Sequence, residues 1–375
     1  MSESQENYDQ LRNLLSPSIG VPLEKSETVN KLLHNMFTED EAFIIVKGIK
    51  KAVRPVTQRR IRKRTNHSKS EIKAIIKDMN YKGKIIKIGP FIVVLPYLPG
   101  LFEFYFTTNR DDSEKIKKAG EAHYELLSSG FHVEHTQRGY PLYRVIPAVK
   151  PIEKSIEINK TIQLEYEILP HEILRKYLSK FKTFAIQPCS CRNAAKLAGH
   201  PCKQTDENFC VSAGFLAKNV INTKVGKKVS LDELMEIMNK AEKEGLVHET
   251  INIKNSSVFI CNCCSCCCGF LKSVKELNNK KAIAEPNFEP LINHEACKLC
   301  ETCIEICPMS TITIKGDSDN GRINISLEKC IGCGICASNC PNDAIILQKV
   351  RNVLPPKSLI GMLRKSKKIR KSKKH

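Results

Sequence analysis

Cys297, Cys300, Cys303 and Cys307, followed by Pro308, form a C-x₂-C-x₂-C-x₃-C-P run. Cys330, Cys333, Cys336 and Cys340, followed by Pro341, repeat that spacing 33 residues later, so one supersecondary unit is used twice. Spacing of this kind suits thiolates on a soft metal centre. Two intervening residues let a tight loop bring three sulfurs to adjacent corners of one small volume. The proline stops the helical turn after the fourth cysteine and removes a backbone donor there. A pair of zinc sites is the alternative, but zinc usually shows paired C-x₂₋₄-C elements rather than a repeated triplet with a C-P.

Ten further cysteines lie upstream. Cys189, Cys191, Cys202 and Cys210 give C-x-C-x₁₀-C-x₇-C, and Cys261, Cys263, Cys264, Cys266, Cys267 and Cys268 put six thiols into eight residues. Packing does not produce such density, because a structural cysteine behaves as a small isolated hydrophobe. Adjacent cysteines also pair poorly with each other in disulfides. Polythiolate metal ligation is the reading: one or two further iron–sulfur clusters, with a zinc or mixed site as the alternative, since neither run has a standard ligand spacing. Strand ends are expected to bring the 189–210 cysteines close to the 261–268 loop, so that ligand sets are shared. Arg192 is then placed to hydrogen-bond a cluster sulfide or an anionic substrate.

Residues 288–348 resemble a complete bacterial-type two-cluster ferredoxin domain, carried by the two C-x₂-C-x₂-C-x₃-C-P runs. The resemblance implies two [4Fe–4S] clusters whose fourth ligand comes from the opposite repeat. Cys297, Cys300, Cys303 and Cys340 would hold one, and Cys330, Cys333, Cys336 and Cys307 the other. Ile312 to Ile314 and Ala344 to Ile346 read as short apolar strands over the clusters, and Gly332 and Gly334 give the backbone room beside the sulfurs. The region from Cys189 to Gly269 resembles parts of large iron–sulfur proteins of anaerobic microbes that end in ferredoxin modules. That likeness implies no substrate.

The elements that must position these residues follow from periodicity. At 375 residues the chain accommodates two or three domains, and no apolar run reaches the ~18 residues of a membrane span. Its polar start does not read as a signal peptide, so the thiols are expected reduced in a cytoplasm, with oxygen-sensitive clusters in an anaerobic or microaerobic setting. Apolar residues at Val29, Leu32, Leu33 and Met36 mark a helix, and Thr38 caps the next, which runs to Ile49. Helices from Gln58 to Arg64 and from Ser68 or Ser70 to Met79 follow, and two strands flank Gly89 and Pro90. This order resembles a winged helix domain over residues 25–96. Residues 47–73 hold eleven Lys or Arg against one acid, Glu71, although many of the charges precede the helix that would enter a groove.

Residues 97–165 read as a connector. It holds an aromatic stretch at 101–106 taken as core, an amphipathic helix from Asp112 to Ser128, and an extended, irregular segment over 130–165 in which His132 and His135 lie on a strand without metal partners. Residues 166–280 read as a cysteine-rich metal-binding domain. Its expected elements are a helix from Leu169, a strand from Thr183 to Gln187, a helix from Phe209 to Val220, a Ser230-capped helix from Leu231 to Lys243, strands at 246–251 and 257–260, and a helix from Phe270 to Asn278. Residues 357–375, with eight Lys or Arg and no acid from Arg364 onward, read as a basic disordered tail. The fold class is therefore α+β and multi-domain: an N-terminal winged-helix-like domain, a central α/β cysteine-rich domain and a C-terminal ferredoxin-like 2[4Fe–4S] domain.

No dinucleotide fingerprint, flavin motif, P-loop or hydrolytic triad is present, so any catalysis would rest on the metal centres. The function expected is 4Fe–4S electron transfer of the ferredoxin type with an additional central metal or iron–sulfur site, working as an iron–sulfur oxidoreductase or its electron-transfer component with a redox partner protein. The alternative is a redox-sensing winged-helix regulator that meets nucleic acid through the basic N-terminal domain or the C-terminal tail.

Overall fold

The computed structural model describes residues 3–17, 20–161, 166–205, 207, 209–255, 258–316 and 321–372. Ser257 and the ends of two predicted segments, 162–165 and 373–375, lie outside the described residues. The chain divides into two units, residues 1–135 with 188–202 and residues 136–187 with 203–375.

In the first unit, Ser26 caps a helix over Glu27–Met36 that buries Val29, Leu32, Leu33 and Met36, the apolar stripe read from the sequence. Thr38 and Glu41 form a capping box at Glu39–Phe43. Beyond Phe43 the helix continues to Ile49 as a π-helical turn, which period counting does not distinguish, and it stops at Lys50 in the left-handed region. A short strand, Val56–Thr57, precedes a helix over Gln58–Thr65, and Ser68 and Glu71 box the start of Lys69–Tyr81. Strands Ile86–Ile88 and Phe91–Val93 close a three-stranded antiparallel sheet in which 91–93 is central. The 101–106 aromatics fall on a helix over Phe102–Thr108 and are core, with Phe102, Tyr105 and Phe106 buried. Asp112 caps Ser113–Ser128.

The segment expected to be extended over 130–165 instead forms helices at Val133–Arg138 and Val149–Thr161 around a short strand, Tyr143–Val145. Pro151 lies in the first turn of the second helix, where a missing N–H leaves no intrahelical bond unmade. Prolines therefore marked a helix start rather than a loop. His135 is helical, and His132 precedes that helix rather than lying on a strand.

The second unit is built on a six-stranded sheet in the order Tyr143–Val145, Val247–Ile251, Phe259–Cys263, Cys210–Ala213, Phe184–Gln187, Lys227–Val229. Every pair is antiparallel, so the central region mixes helices with an antiparallel sheet rather than winding βαβ units. Leu174, Tyr177, Phe184, Val211, Met238 and Ile260 belong to its core cluster. Cys210 opens a strand, not the helix expected over 209–220, which begins at Gly214. The β-branched Val211 and pairing with strands on both sides outweigh the helical count there. Within the same unit, Phe288–Ile292 pairs with Ile345–Lys349, and Ile312–Lys315 pairs with Arg322–Ile325. The basic C-terminal stretch carries a helix, Leu359–Ser372, with Met362 buried, where a disordered tail was expected. Among the described residues no helix is long and apolar enough to cross a membrane.

Candidate metal centres

Each C-x₂-C-x₂-C run wraps a loop whose backbone enters the left-handed region at the same places. Leu299, Glu301 and Ser310 have φ of 52°, 61° and 52°, and Gly332, Gly334 and Asp343, 33 positions on, have 63°, 76° and 51°. The sequence repeat is therefore a backbone repeat. Short helices, Thr302–Ile306 and Ile335–Ser338, follow the two loops. The strands Ile312–Lys315, Arg322–Ile325 and Ile345–Lys349 bring Ile312, Ile323 and Ile345 against Cys303 and Cys336.

The eight cysteines sort into two cavities. One is lined by Cys297, Cys300, Cys303 and Cys340 with Ile292, Ile323 and Ile345. The other is lined by Cys307, Cys330, Cys333 and Cys336 with Met309, Ile312 and Ile325. Three sulfurs of each set come from one repeat and the fourth from the other. Backbone amides point at the crossing sulfurs in matching fashion: Thr311 N–H donates to Cys307 Sγ at 3.5 Å, and Ala344 N–H to Cys340 Sγ at 3.3 Å. The thiols burden one another. Burial first, then Cys297, with Cys340 and Cys300 adding, pushes Cys303 up to about 11. Burial and the neighbouring Cys330 and Cys307 likewise raise Cys336. Cys303 and Cys336, raised by burial and by neighbouring thiols within one small cavity each, fit a cationic centre that the converging sulfurs share. Cys300 is exposed, whereas Cys303, Cys333 and Cys336 are buried.

In the central sheet, strand ends line up the cysteines. Gln187 pairs with Cys210, Val211 with Ile260, and Glu249 with Cys261. Phe259–Cys263 leads through a turn into Gly269–Glu276, whose N-cap is Cys268. The run thus separates by backbone. Cys261 and Cys263 lie on one face of a strand, while Cys264, Cys266 and Cys267 lie in the turn, with their sulfurs within 4.8 Å of one another. Cys189 caps the helix Ser190–Leu197, which carries Cys191 and the buried Arg192; with Cys202 these residues belong to the first unit.

One feature lies outside every sequence motif. Glu242, 1% exposed, accepts from Ser338 Oγ at 2.5 Å and from Val149 N–H at 2.7 Å, and meets His248 Nε2 at 3.1 Å. His248 Nδ1 lies 2.5 Å from Asn262 Oδ1, and Asn262 Nδ2 donates to the Phe209 carbonyl. Both ring nitrogens of His248 therefore face side-chain oxygens. Burial pushes the Glu242 carboxyl up, but the His248 hydrogen bond and charge and the Ser338 hydroxyl outweigh it and hold the carboxyl below its usual range. A buried chain of hydrogen bonds thus runs from Ser338, between Cys336 and Cys340, to Asn262, between Cys261 and Cys263. Only the isolated residue types were readable beforehand, because the spacing that joins them is tertiary.

The family comparison falls on the C-terminal repeats. Residues 289–341 match the model of the 4Fe-4S dicluster domain. Pyruvate synthase subunit PorD of Methanocaldococcus jannaschii is 38% identical over 58 residues, which are 16% of this chain and 64% of that protein. PorD of Methanothermobacter marburgensis is 36% identical over 62 residues, covering 16% of this chain and 68% of that protein. NADH-quinone oxidoreductase subunit I 2 of Geobacter metallireducens is 30% identical over 89 residues, 20% and 68% of the two chains. The chain spans between about half and two thirds of the curated relatives that head the comparison. No solved structure matches. Iron–sulfur clusters are the cofactors these residues take, and through its C-terminal domain the chain belongs to the 4Fe–4S dicluster ferredoxins.

Proposed function

We propose that this chain is a multi-centre electron-transfer protein. One [4Fe–4S] cluster sits on Cys297, Cys300, Cys303 and Cys340, a second on Cys307, Cys330, Cys333 and Cys336, and a further metal centre in the central cysteine region exchanges electrons with them. The observation that carries the reading is the sorting of eight cysteines into two four-thiol cavities that each draw on both repeats. When bound, such clusters supply one-electron oxidation and reduction. The chain's own residues set the terms. Ile292, Ile323 and Ile345 keep water from the first cavity, and the Thr311 and Ala344 amides donate to sulfur, which raises the potential. Exposed Cys300 and Leu299, 37% exposed, mark the face where a redox partner protein would exchange electrons.

The turn cysteines Cys264, Cys266 and Cys267 support the central centre, and the spacing of Cys189, Cys191 and Cys202 supports thiolate metal binding by those residues of the first unit as well. Relatives named as subunits of pyruvate synthase and of NADH-quinone oxidoreductase support a partner enzyme. The test is anaerobic reconstitution of the full chain, with iron and sulfide counted and dithionite added. About eight irons from the two ferredoxin sites, and visible absorbance bleached by dithionite, are expected. A chain whose absorbance dithionite leaves unchanged would overturn the reading.

A second reading, a winged-helix regulator, is favoured by one observation. A short strand, two helices and two strands, in sheet order first–third–second, accompany a basic groove lined by Arg59, Arg62, Lys69 and Lys73. Its test is gel retardation of mixed duplex DNA by the full, cluster-loaded chain.

A further inference from the structure

The Glu249 carboxyl is 1% exposed in the interior of the second unit. It pairs directly across the sheet with Cys261, and its Oε2 lies 3.4 Å from Cys268 Sγ. The donor atoms of Glu249, Cys263 and Cys268 all lie within 4.8 Å of one another, and Cys263 and Cys268 are 7% and 4% exposed. Glu249 Oε1 is buried and has no hydrogen-bond partner among the described residues. A buried carboxyl oxygen is not left unmatched without a reason, since hydrogen bonds or a bound cation ordinarily meet it.

The backbone explains why these groups converge. Alternation along Phe259–Cys263 sends Cys261 and Cys263 to the face that Glu249 shares and sends Asn262 to the other, where it meets His248. Cys268, at the N-cap of Gly269–Glu276, returns beneath that face after the turn has carried Cys264, Cys266 and Cys267 away.

We infer that Glu249, Cys263 and Cys268 form a binding site for one borderline divalent transition-metal ion, Zn²⁺ or Fe²⁺, with Cys261 as the fourth donor. The inference rests on reading the central region as a metal centre, and it separates that region into two sites. A cubane takes four thiolates, whereas a set containing a carboxylate suits a single tetrahedral ion, with sulfur at ~2.3 Å and oxygen at ~2.0–2.2 Å. Six cysteines in eight residues therefore do not serve one cluster. Glu249, which no cysteine spacing reveals, is the ligand that marks the division.

The test uses the full chain with its ferredoxin clusters assembled anaerobically, so that the eight C-terminal thiols are occupied, and titrates it with cobalt chloride. One Co²⁺ with thiolate charge-transfer absorption, displaced by zinc chloride, is expected at this site. Glu249→Gln should weaken it at least tenfold and alter the visible bands, and Glu249→Asp should restore part of the affinity. Paired Cys264→Ser and Cys266→Ser changes should leave it unaltered. Unchanged cobalt affinity and spectrum in Glu249→Gln would overturn the inference. So would a third cubane, seen by EPR after iron and sulfide loading, that is lost in both Cys263→Ser and Cys264→Ser. Dithionite bleaching of the ferredoxin clusters in the same samples tells failure of the electron-transfer reading apart from failure of this one. If Glu249→Gln disturbs assembly, zinc-edge X-ray absorption of the unmutated chain decides. Oxygen beside sulfur in the shell supports the site, and sulfur alone removes it.

Discussion

Gly332 and Leu299 occupy the same place in the two repeats, both with positive φ, yet only one is glycine. The difference lies in what surrounds them. A Cβ on Gly332 would stand 2.4 Å from the Phe288 carbonyl oxygen and 2.8 Å from Pro286 Cβ. The obstruction is backbone and proline, which cannot swing away. Leu299 is 37% exposed, so its side chain has room and only the left-handed backbone is unfavourable. Gly332→Ala therefore combines steric overlap with backbone strain, a cost of about 2–4 kcal/mol. It should lower the iron content by about one cluster's four irons and speed thermal bleaching of the visible absorbance. Leu299→Gly exchanges relief of strain against glycine's chain entropy, each about 1 kcal/mol, and should leave both measures within error. Equal sensitivity at the two positions would mean that the different surroundings of Gly332 and Leu299 do not set the cost.

Elements are joined by buried charges as well as by apolar faces. In the first unit Lys84 Nζ lies 2.9 Å from Glu41 Oε2, at the capped start of Glu39–Phe43, and 2.9 Å from Asp111 Oδ2; the three side chains are 3–7% exposed. Burial raises the Asp111 carboxyl, but the charge and hydrogen bond of Lys84 outweigh it and leave it below its usual value. A carboxyl depressed in the folded state stabilises the fold above its unfolded value, near 3.8, and loses that contribution as pH falls through the folded value. Lys84→Met leaves buried Glu41 without its cation and Asp111 with only Lys82, 3.3 Å from its Oδ1, and should cost about 3–5 kcal/mol at pH 7. The gap between wild type and variant, followed by circular-dichroism melting, should narrow as pH drops toward 4 and the Asp111 carboxyl protonates. A gap independent of pH would mean that packing, not charge, is what Lys84 supplies.

Such ties also bound what the sequence could disclose. The caps at Thr38 and Ser230 were legible, and Ser68 was one of two candidates beside Ser70, because each is a local exchange between residues three apart. So were the two ferredoxin runs, whose chemistry is written in spacing. The helix Val149–Thr161 was not, because Pro147 and Pro151 carry the same letters whether they break a helix or begin one. The strand at Cys210 escaped for another reason: its pairing with Gln187 is a long-range choice that overrides the local count. Glu242, His248 and Glu249 were invisible as site residues because only the sheet register brings them to the cysteines.

At the scale of the whole molecule, the chain carries a net charge of +20. Two stretches concentrate it: residues 47–73 in the first unit, and the helix Leu359–Ser372 in the second. If the first serves nucleic acid, its phosphate contacts must show in salt dependence, because each phosphate neutralised releases counterions and steepens the log–log slope of affinity against salt by about 0.9. The groove between Gln58–Thr65 and Lys69–Tyr81 presents Arg59, Arg62, Lys69 and Lys73, with Arg59, Lys69 and Lys73 exposed. Changing all four to Gln in the cluster-loaded full chain should flatten that slope by about three to four and leave the iron count and the dithionite response untouched. Retention by the unmutated chain with an unchanged slope in the variant would move the contact to the C-terminal helix. Absence of any salt-sensitive retention would remove the regulator and leave the basic surface to acidic redox partners, whose docking to a positive face would then slow with added salt in the same four-residue variant far less than in the wild type.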